Sequence, residues 1–298
     1  MRPLVALDWG TSSLRVALLD EAGGVVEEQS LPRGILTVAA GDFPQVFEKA
    51  TARWQAVPDA LFLLGGMVGS RQGWQEAPYC PCPAGFADIA AALAWVEPGR
   101  IAIVPGLTCQ QGGVPDVMRG EEAQVYGALD LLGIADGLFV LPGTHSKWVR
   151  VAGRRIESFS TFMTGEFYGL LRQHSILSRT MPADDGALDE HAFERGVRHA
   201  VQAGNLLHAA FSARTLSLFG ALPPPALPSY LSGLVIGEEL RSQHLHRLAD
   251  PIVIVGAAAL TQRYELALRL LGIPARRLGP EATWRGLGAI ARTLEDTA

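Results

Sequence analysis

The chain has 298 residues, 48% of them hydrophobic and 18% charged, with a net charge of -5. That length suits one large α/β domain or two units sharing a cleft, and the composition excludes disordered and fibrous classes. Lys and Arg form no stripe of the kind a nucleic-acid surface needs, and no apolar run reaches the ~20 residues of a bilayer span.

Hydrophobic periodicity predicts three opening strands at 4–8, 14–20 and 25–31, joined by tight turns into an antiparallel meander. The first strand begins directly after Met1-Arg2-Pro3, so no secretory leader is expected and a cytoplasmic location is. A helix over 42–56 follows, with Phe43, Val46, Phe47 and Ala50 on one face. Next come a buried strand at 59–64 ending in Gly65-Gly66, a helix over 87–96 and a strand at 101–104. The same order recurs later: strands at 137–141, 147–151 and 155–160, then helices, a strand at 252–255, a helix over 257–271, a short segment at 276–278 and a helix from 281. The stretch 184–242 reads as helical, and Pro223-Pro224-Pro225 marks a break between helices. Three cysteines fit a reducing compartment, and Cys80-Pro81-Cys82 reads as thiols rather than a zinc site.

Two hairpin turns carry the chemistry. The segment from Asp8 through Gly10, Thr11, Ser12 and Ser13 delivers an acid to a strand end and then turns sharply with donors pointing outward, a shape that can hold a phosphate. Asp8 would bind Mg²⁺ through water, because that hard cation keeps waters and takes only one or two carboxylates. The segment Gly143, Thr144, His145, Ser146, Lys147 repeats the strand, Gly-Thr turn and returning strand. The chain has only two lysines, so Lys147 in such a turn hints at a compact ammonium for phosphate, while His145 reads equally as a solvated turn residue. Between the turns, Gly120-Glu121-Glu122 followed by an apolar run is a helix start with carboxylates at its positive end; dipole complementation alone would also explain them. A third element, Gly256-Ala257-Ala258 after a buried strand, lets a flat ring or sugar approach backbone closely, and it lacks the full dinucleotide fingerprint.

These elements, in this order, resemble the actin/hexokinase/heat-shock ATPase superfamily over nearly the whole chain. More narrowly the sequence resembles the 2-dehydro-3-deoxygalactonokinase family through 8–13 (DWGTSS), 66–74 (GMVGSRQGW), 77–85 (APYCPCPAG), 119–124 (RGEEAQ), 141–148 (LPGTHSKW) and 161–166 (TFMTGE). The second turn carries Pro142-Gly143-Thr144 where many sugar kinases have Asp-x-Gly, so no catalytic Asp carries over to it.

The resemblance implies an α/β chain of two ribonuclease H-like lobes, the actin-like ATPase fold, with an interlobe cleft. It sets the lobes at 1–106 and 107–284, with the C-terminal helix at about 285–298 packing back on the first. It implies ATP and Mg²⁺ as cofactors, a small sugar acid as acceptor, no nucleic-acid or membrane partner, and leaves a homodimer open. Glu121 is then the expected base, with Glu122 the alternative one residue on. Arg71, with Gln72 beside it, is expected to meet the substrate carboxylate, and Thr164 and Glu166 to contact hydroxyls or cap a helix. Action on another sugar or sugar acid, and a non-enzymatic actin-like nucleotide-binding protein, are the competing readings.

Overall fold

A computed structural model describes residues 2–243, 245 and 250–296. The chain opens with strands β1 (Leu4–Trp9), β2 (Leu14–Leu19) and β3 (Val25–Leu31), then helix α1 (Phe43–Thr51), β4 (Leu61–Gly65), β5 (Tyr79–Pro81), α2 (Phe86–Ala91), β6 (Ala94–Glu97) and β7 (Ile101–Ile103). There follow β8 (Gly106–Gln111), β9 (Val114–Met118), α3 (Glu121–Leu132), β10 (Gly137–Leu141), β11 (Ser146–Ala152), β12 (Arg155–Phe162) and α4 (Thr164–His174). The remainder is α5 (Glu190–Ala203), α6 (Leu206–Ala209), α7 (Ser212–Leu218), α8 (Leu227–Ser242), β13 (Ile252–Val255), α9 (Ala258–Leu270), β14 (Ala275–Leu278) and α10 (Glu281–Asp296).

The expected meander forms: β1 pairs antiparallel with β2, and β2 with β3. β4 then returns parallel on the other side of β1, with Asp8 opposite Gly65, giving the order β3-β2-β1-β4-β7-β6. The second large sheet repeats the plan as β12-β11-β10-β13-β14. Three consecutive strands followed by a strand laid beside the first is the ribonuclease H-like order, and it occurs twice. Fully buried strands such as β1 and β4 read as continuous apolar runs because helices cover both faces.

Two stretches depart from the sequence reading. The helix expected over 87–96 stops at Ala91, and β6 pairs antiparallel with β7, since aromatic and β-branched Trp95 and Val96 favour a pleated, half-buried edge. A three-stranded sheet, β5-β8-β9, was not expected at all. Its β8–β9 hairpin closes on Gly112 and Gly113, both at positive φ (58° and 81°), as a two-residue turn of the primed type requires.

The chain groups into two compact units. The first takes in the chain through Phe139, Trp148–Ser160 and the residues from Leu278 onward; the second is Val140–Lys147 and Thr161–Arg277. Residues 107–139 thus group with the first unit. Helix packing accounts for this: α3 and α10 meet at two facing glycines, where a methyl added to Gly127 would lie 1.7 Å from the Ala282 carbonyl oxygen and one on Gly286 1.8 Å from that of Ala123. The second unit uses the same device between α5 and α8, at Gly196 and Gly233.

The core of the first unit is aromatic, with Trp9 against Phe43 (ring centroids 5.5 Å apart) and Phe47 against Phe62 (5.3 Å). Each such side chain stabilises by roughly 1.5–3 kcal/mol on burial. The indole N–H of Trp9, buried with its ring, donates to the Arg33 carbonyl at 2.8 Å. The second unit packs Leu177, Ala192, Leu227, Tyr230, Leu231 and Leu234 around α8.

Candidate active site

In the first unit, β1 brings Asp8 to the head of the hairpin turn, where the Gly10 N–H donates to the Ser13 carbonyl at 2.9 Å. Thr11, Ser12 and Ser13 are exposed. A segment that sequence reasoning left out secures this turn from behind. The Ile35 and Leu36 N–H groups donate to the Gly10 and Thr11 carbonyls at 3.0 and 3.2 Å, using up acceptors and leaving the outward face to donors. Gly34 makes that approach feasible, since a Cβ there would lie 2.3 Å from Ser12 N and Thr11 O. Arg15 holds one oxygen of the Asp8 carboxylate, Nη2 to Oδ2 at 2.5 Å and Nε to Oδ2 at 3.2 Å, and its guanidinium lies 5.1 Å from the Trp284 ring centroid. Asp8 Oδ1 accepts no hydrogen bond from the described residues.

The head of α3 stands against the same place. Gly66 and Gly120 take φ of 91° and 105°, values closed to most side chains, and a Cβ on Gly120 would lie 3.2 Å from Gly66 Cα. One on Gly66 would lie 3.3 Å from Asp8 Oδ1. Asp8 and the Glu121-Glu122 pair are therefore gathered within one unit. The two glutamates differ. Glu122 is fully buried, with both carboxylate oxygens accepting from the Gly120 N–H at 2.9 and 2.7 Å. Burial, reinforced by the neighbouring Glu121 charge, pushes its pKa up from 4.5 to about 8. Glu121 is half-buried and its Oε2 accepts from the Arg119 N–H at 3.0 Å. The buried Arg119 in turn donates to the Ala77 carbonyl at 2.8 Å and stacks 4.3 Å from the Tyr79 ring centroid. Arg71 and Gln72 lie on the exposed stretch after Gly69, and Arg71, 87% exposed, pairs with Glu76 at 3.0 Å.

The second turn belongs to the second unit. Gly143, Thr144 and His145 are at least partly exposed, while Ser146 and Lys147 are buried. The Ser146 hydroxyl donates to Glu239 Oε1 at 2.8 Å, and the Lys147 ammonium to Thr161 Oγ1 at 2.8 Å. Both side chains thus brace the turn from within. The start of α4 locks on from the side. Glu166 N–H donates to the Thr144 carbonyl at 3.0 Å, His145 Nε2 stands 2.5 Å from Glu166 Oε2, and a Cβ on Gly165 would lie 2.4 Å from the Gly143 carbonyl. Thr164 donates its hydroxyl to Glu239.

Gly256, at φ 146°, meets the other side of this turn: a Cβ there would lie 3.7 Å from the Pro142 carbonyl. Ala257 and Ala258, both exposed, lead into α9. A cavity of about 180 Å³ opens beside Gly143, Gly165 and Ala259, with Tyr168, Asp185 and Arg263 on its wall. The Arg263 guanidinium donates to Ser232 Oγ at 2.8 Å and the Tyr168 hydroxyl to Asp185 Oδ2 at 3.0 Å. These wall residues sit in helices and loops without local motifs, so the sequence offered no signal for them. Among the described residues no three His, Cys, Asp or Glu side chains gather as a metal cage, and no helix is long and apolar enough to cross a membrane.

Comparison with known proteins gives the geometry a family. The model of the 2-keto-3-deoxy-galactonokinase family matches residues 8–290. A protein of Rhizobium meliloti (strain 1021) named "Probable 2-dehydro-3-deoxygalactonokinase DgoK1" is 39% identical over 298 residues, covering 97% of this chain and 96% of that protein. The 2-dehydro-3-deoxygalactonokinase of Escherichia coli (strain K12) is 33% identical over 294 residues, covering 97% and 98%. A crystal structure assigned to a 2-dehydro-3-deoxygalactonokinase from Sinorhizobium meliloti superposes with a TM-score of 0.88 at 37% identity, covering 97% of this chain and 98% of that one. The fold is that of the actin-like ATPases. The chain belongs to the 2-keto-3-deoxy-galactonokinase family.

Proposed function

We propose that the protein transfers the γ-phosphoryl group of ATP to the terminal hydroxyl of 2-dehydro-3-deoxygalactonate. The observation that supports this most directly is that Gly66 packs closely on both Asp8, the candidate metal-binding acid, and Gly120, the residue before the candidate base Glu121. Membership of a kinase family implies ATP as donor.

In the proposed reaction the acceptor oxygen attacks the γ-phosphorus as the bond to the β-phosphate oxygen breaks, giving a phosphomonoester and ADP. Glu121 takes the hydroxyl proton and later yields it to water. Glu122 is unsuited to that role, because it is sealed from solvent and its oxygens are committed to the Gly120 N–H. The amides and hydroxyls of Thr11, Ser12 and Ser13 receive phosphate oxygens, as do the amides of Gly143 and Thr144, with Ser146 and Lys147 holding the second turn in shape. Catalysis then rests on positioning and charge stabilisation more than on covalent chemistry by the protein.

Mg²⁺ fits Asp8: Arg15 occupies Oδ2 and orients the group, while Oδ1 is left for a metal-bound water. Bound there, the cation would neutralise charge developing on the phosphates. Gly256, Ala257 and Ala258, with the adjoining cavity, are the adenosine site in this reading. Arg71 and Gln72 receive the carboxylate and 2-oxo group of the acid; the guanidinium fork matches a carboxylate once it leaves Glu76.

The test is an ADP-release assay across a panel of 2-oxo-3-deoxy acids and neutral sugars. Release that depends on 2-dehydro-3-deoxygalactonate and exceeds that with neutral sugars is expected. Release at the same rate without any acid would remove the kinase reading.

A further inference from the structure

Glu239 lies on α8 and is only 3% exposed. Withdrawing a carboxylate from water costs several kcal/mol unless donors meet its oxygens. Here they do: Oε1 accepts from Ser146 Oγ at 2.8 Å, and Oε2 from the Tyr264 hydroxyl at 2.7 Å and from Thr164 Oγ1. The donors come from three elements, β11 where it leaves the second turn, the first residue of α4, and α9. Those elements carry, in order, the Gly143-Thr144 turn, the Thr164–Glu166 clamp on that turn, and the helix entered through Gly256, Ala257 and Ala258. Packing alone gives no reason for an acid here, because an apolar residue of similar volume in such a place is often neutral or stabilising.

We propose that Glu239 is a positioning residue for the nucleotide. A single buried carboxylate ties the phosphate turn, the clamp helix and the adenosine helix together in the register that ATP requires. The Thr164 hydroxyl is committed to this network, so Thr164 acts on the turn and not on the sugar acid. The inference rests on the proposed binding of ATP by Gly143, Thr144 and Gly256.

The experiment compares the full chain with Glu239→Ala, Glu239→Gln and Tyr264→Phe. It measures ADP binding by calorimetry, KM for ATP, KM for 2-dehydro-3-deoxygalactonate and thermal melting. Glu239→Ala should weaken ADP binding and raise KM for ATP by about tenfold or more, with KM for the acid within about twofold of the parent. Glu239→Gln keeps one acceptor oxygen and should recover part of the loss. Should Glu239→Ala fail to fold, Tyr264→Phe removes one donor and leaves the carboxylate, and should raise KM for ATP by about two- to fivefold. A folded Glu239→Ala that binds ADP like the parent, or equal rises in both KM values, would overturn the inference. Failure of the parent itself to bind ADP would instead refute the underlying nucleotide reading.

Discussion

Replacing Gly34 with Ala isolates the contribution of the first phosphate turn. Gly34 sits at φ −67° and ψ 166°, which alanine adopts without strain, so any effect is steric. The new methyl would lie 2.3 Å from Ser12 N, Ser12 C and Thr11 O, whereas ordinary heavy-atom contacts with carbon are about 3.5 Å, so the turn must retreat by about 1 Å. Overpacking of this kind costs about 1–3 kcal/mol of stability. A displacement of ~1 Å in a group that positions a reacting phosphate costs about 100-fold in rate. Steady-state kinetics with ATP as the varied substrate, alongside a melting curve, read both effects. Gly169→Ala is the control, since a Cβ there meets nothing within 4 Å, and it should leave activity unchanged. Parental kcat/KM for ATP in a Gly34→Ala protein would show that the turn does not hold the triphosphate.

Three further outcomes are expected. Glu121→Gln should lower kcat by about 100- to 10,000-fold with a far smaller change in KM for ATP, and a parental rate would move the base elsewhere. The pKa of Glu122 is raised from 4.5 to about 8 on folding, so its contribution is fully present below pH 4.5 and is lost as pH rises through about 8. The melting temperature of the parent should therefore fall relative to that of Glu122→Gln across this window, and a constant difference between the two would contradict the shift. Gly127→Ala drives a methyl to 1.7 Å from the Ala282 carbonyl and should separate α3 from α10 at a cost of about 3 kcal/mol or more; denaturant unfolding measures it.

Much of the frame was legible because it rests on local pattern. Apolar runs ending at Asp8 and Leu141, glycine-bearing turns after them, and two acids following Gly120 all betray themselves within a dozen residues. What escaped depends on distant parts of the chain. Trp95 and Val96 followed an apolar helical stretch, and only pairing with β7 reveals them as an edge strand. The Gly112-Gly113 turn was in principle readable from the dipeptide. Gly34 looks like any loop glycine until the turn of residues 10–13 is laid against it. Glu239 sits in a helix buried almost all round, where an acid signals an exposed face unless its three hydroxyl partners are known. A Gly-Thr turn likewise says nothing about which of its side chains face inward, so the burial of Ser146 and Lys147 had no sequence signal.

The proposed reaction leaves a phosphomonoester at the end of a sugar acid. Proton-coupled ³¹P NMR of the product formed from ATP and 2-dehydro-3-deoxygalactonate tests it most directly. A new phosphomonoester signal split by the two protons of a terminal CH₂ group is expected. Inorganic phosphate as the sole new product besides ADP would contradict it.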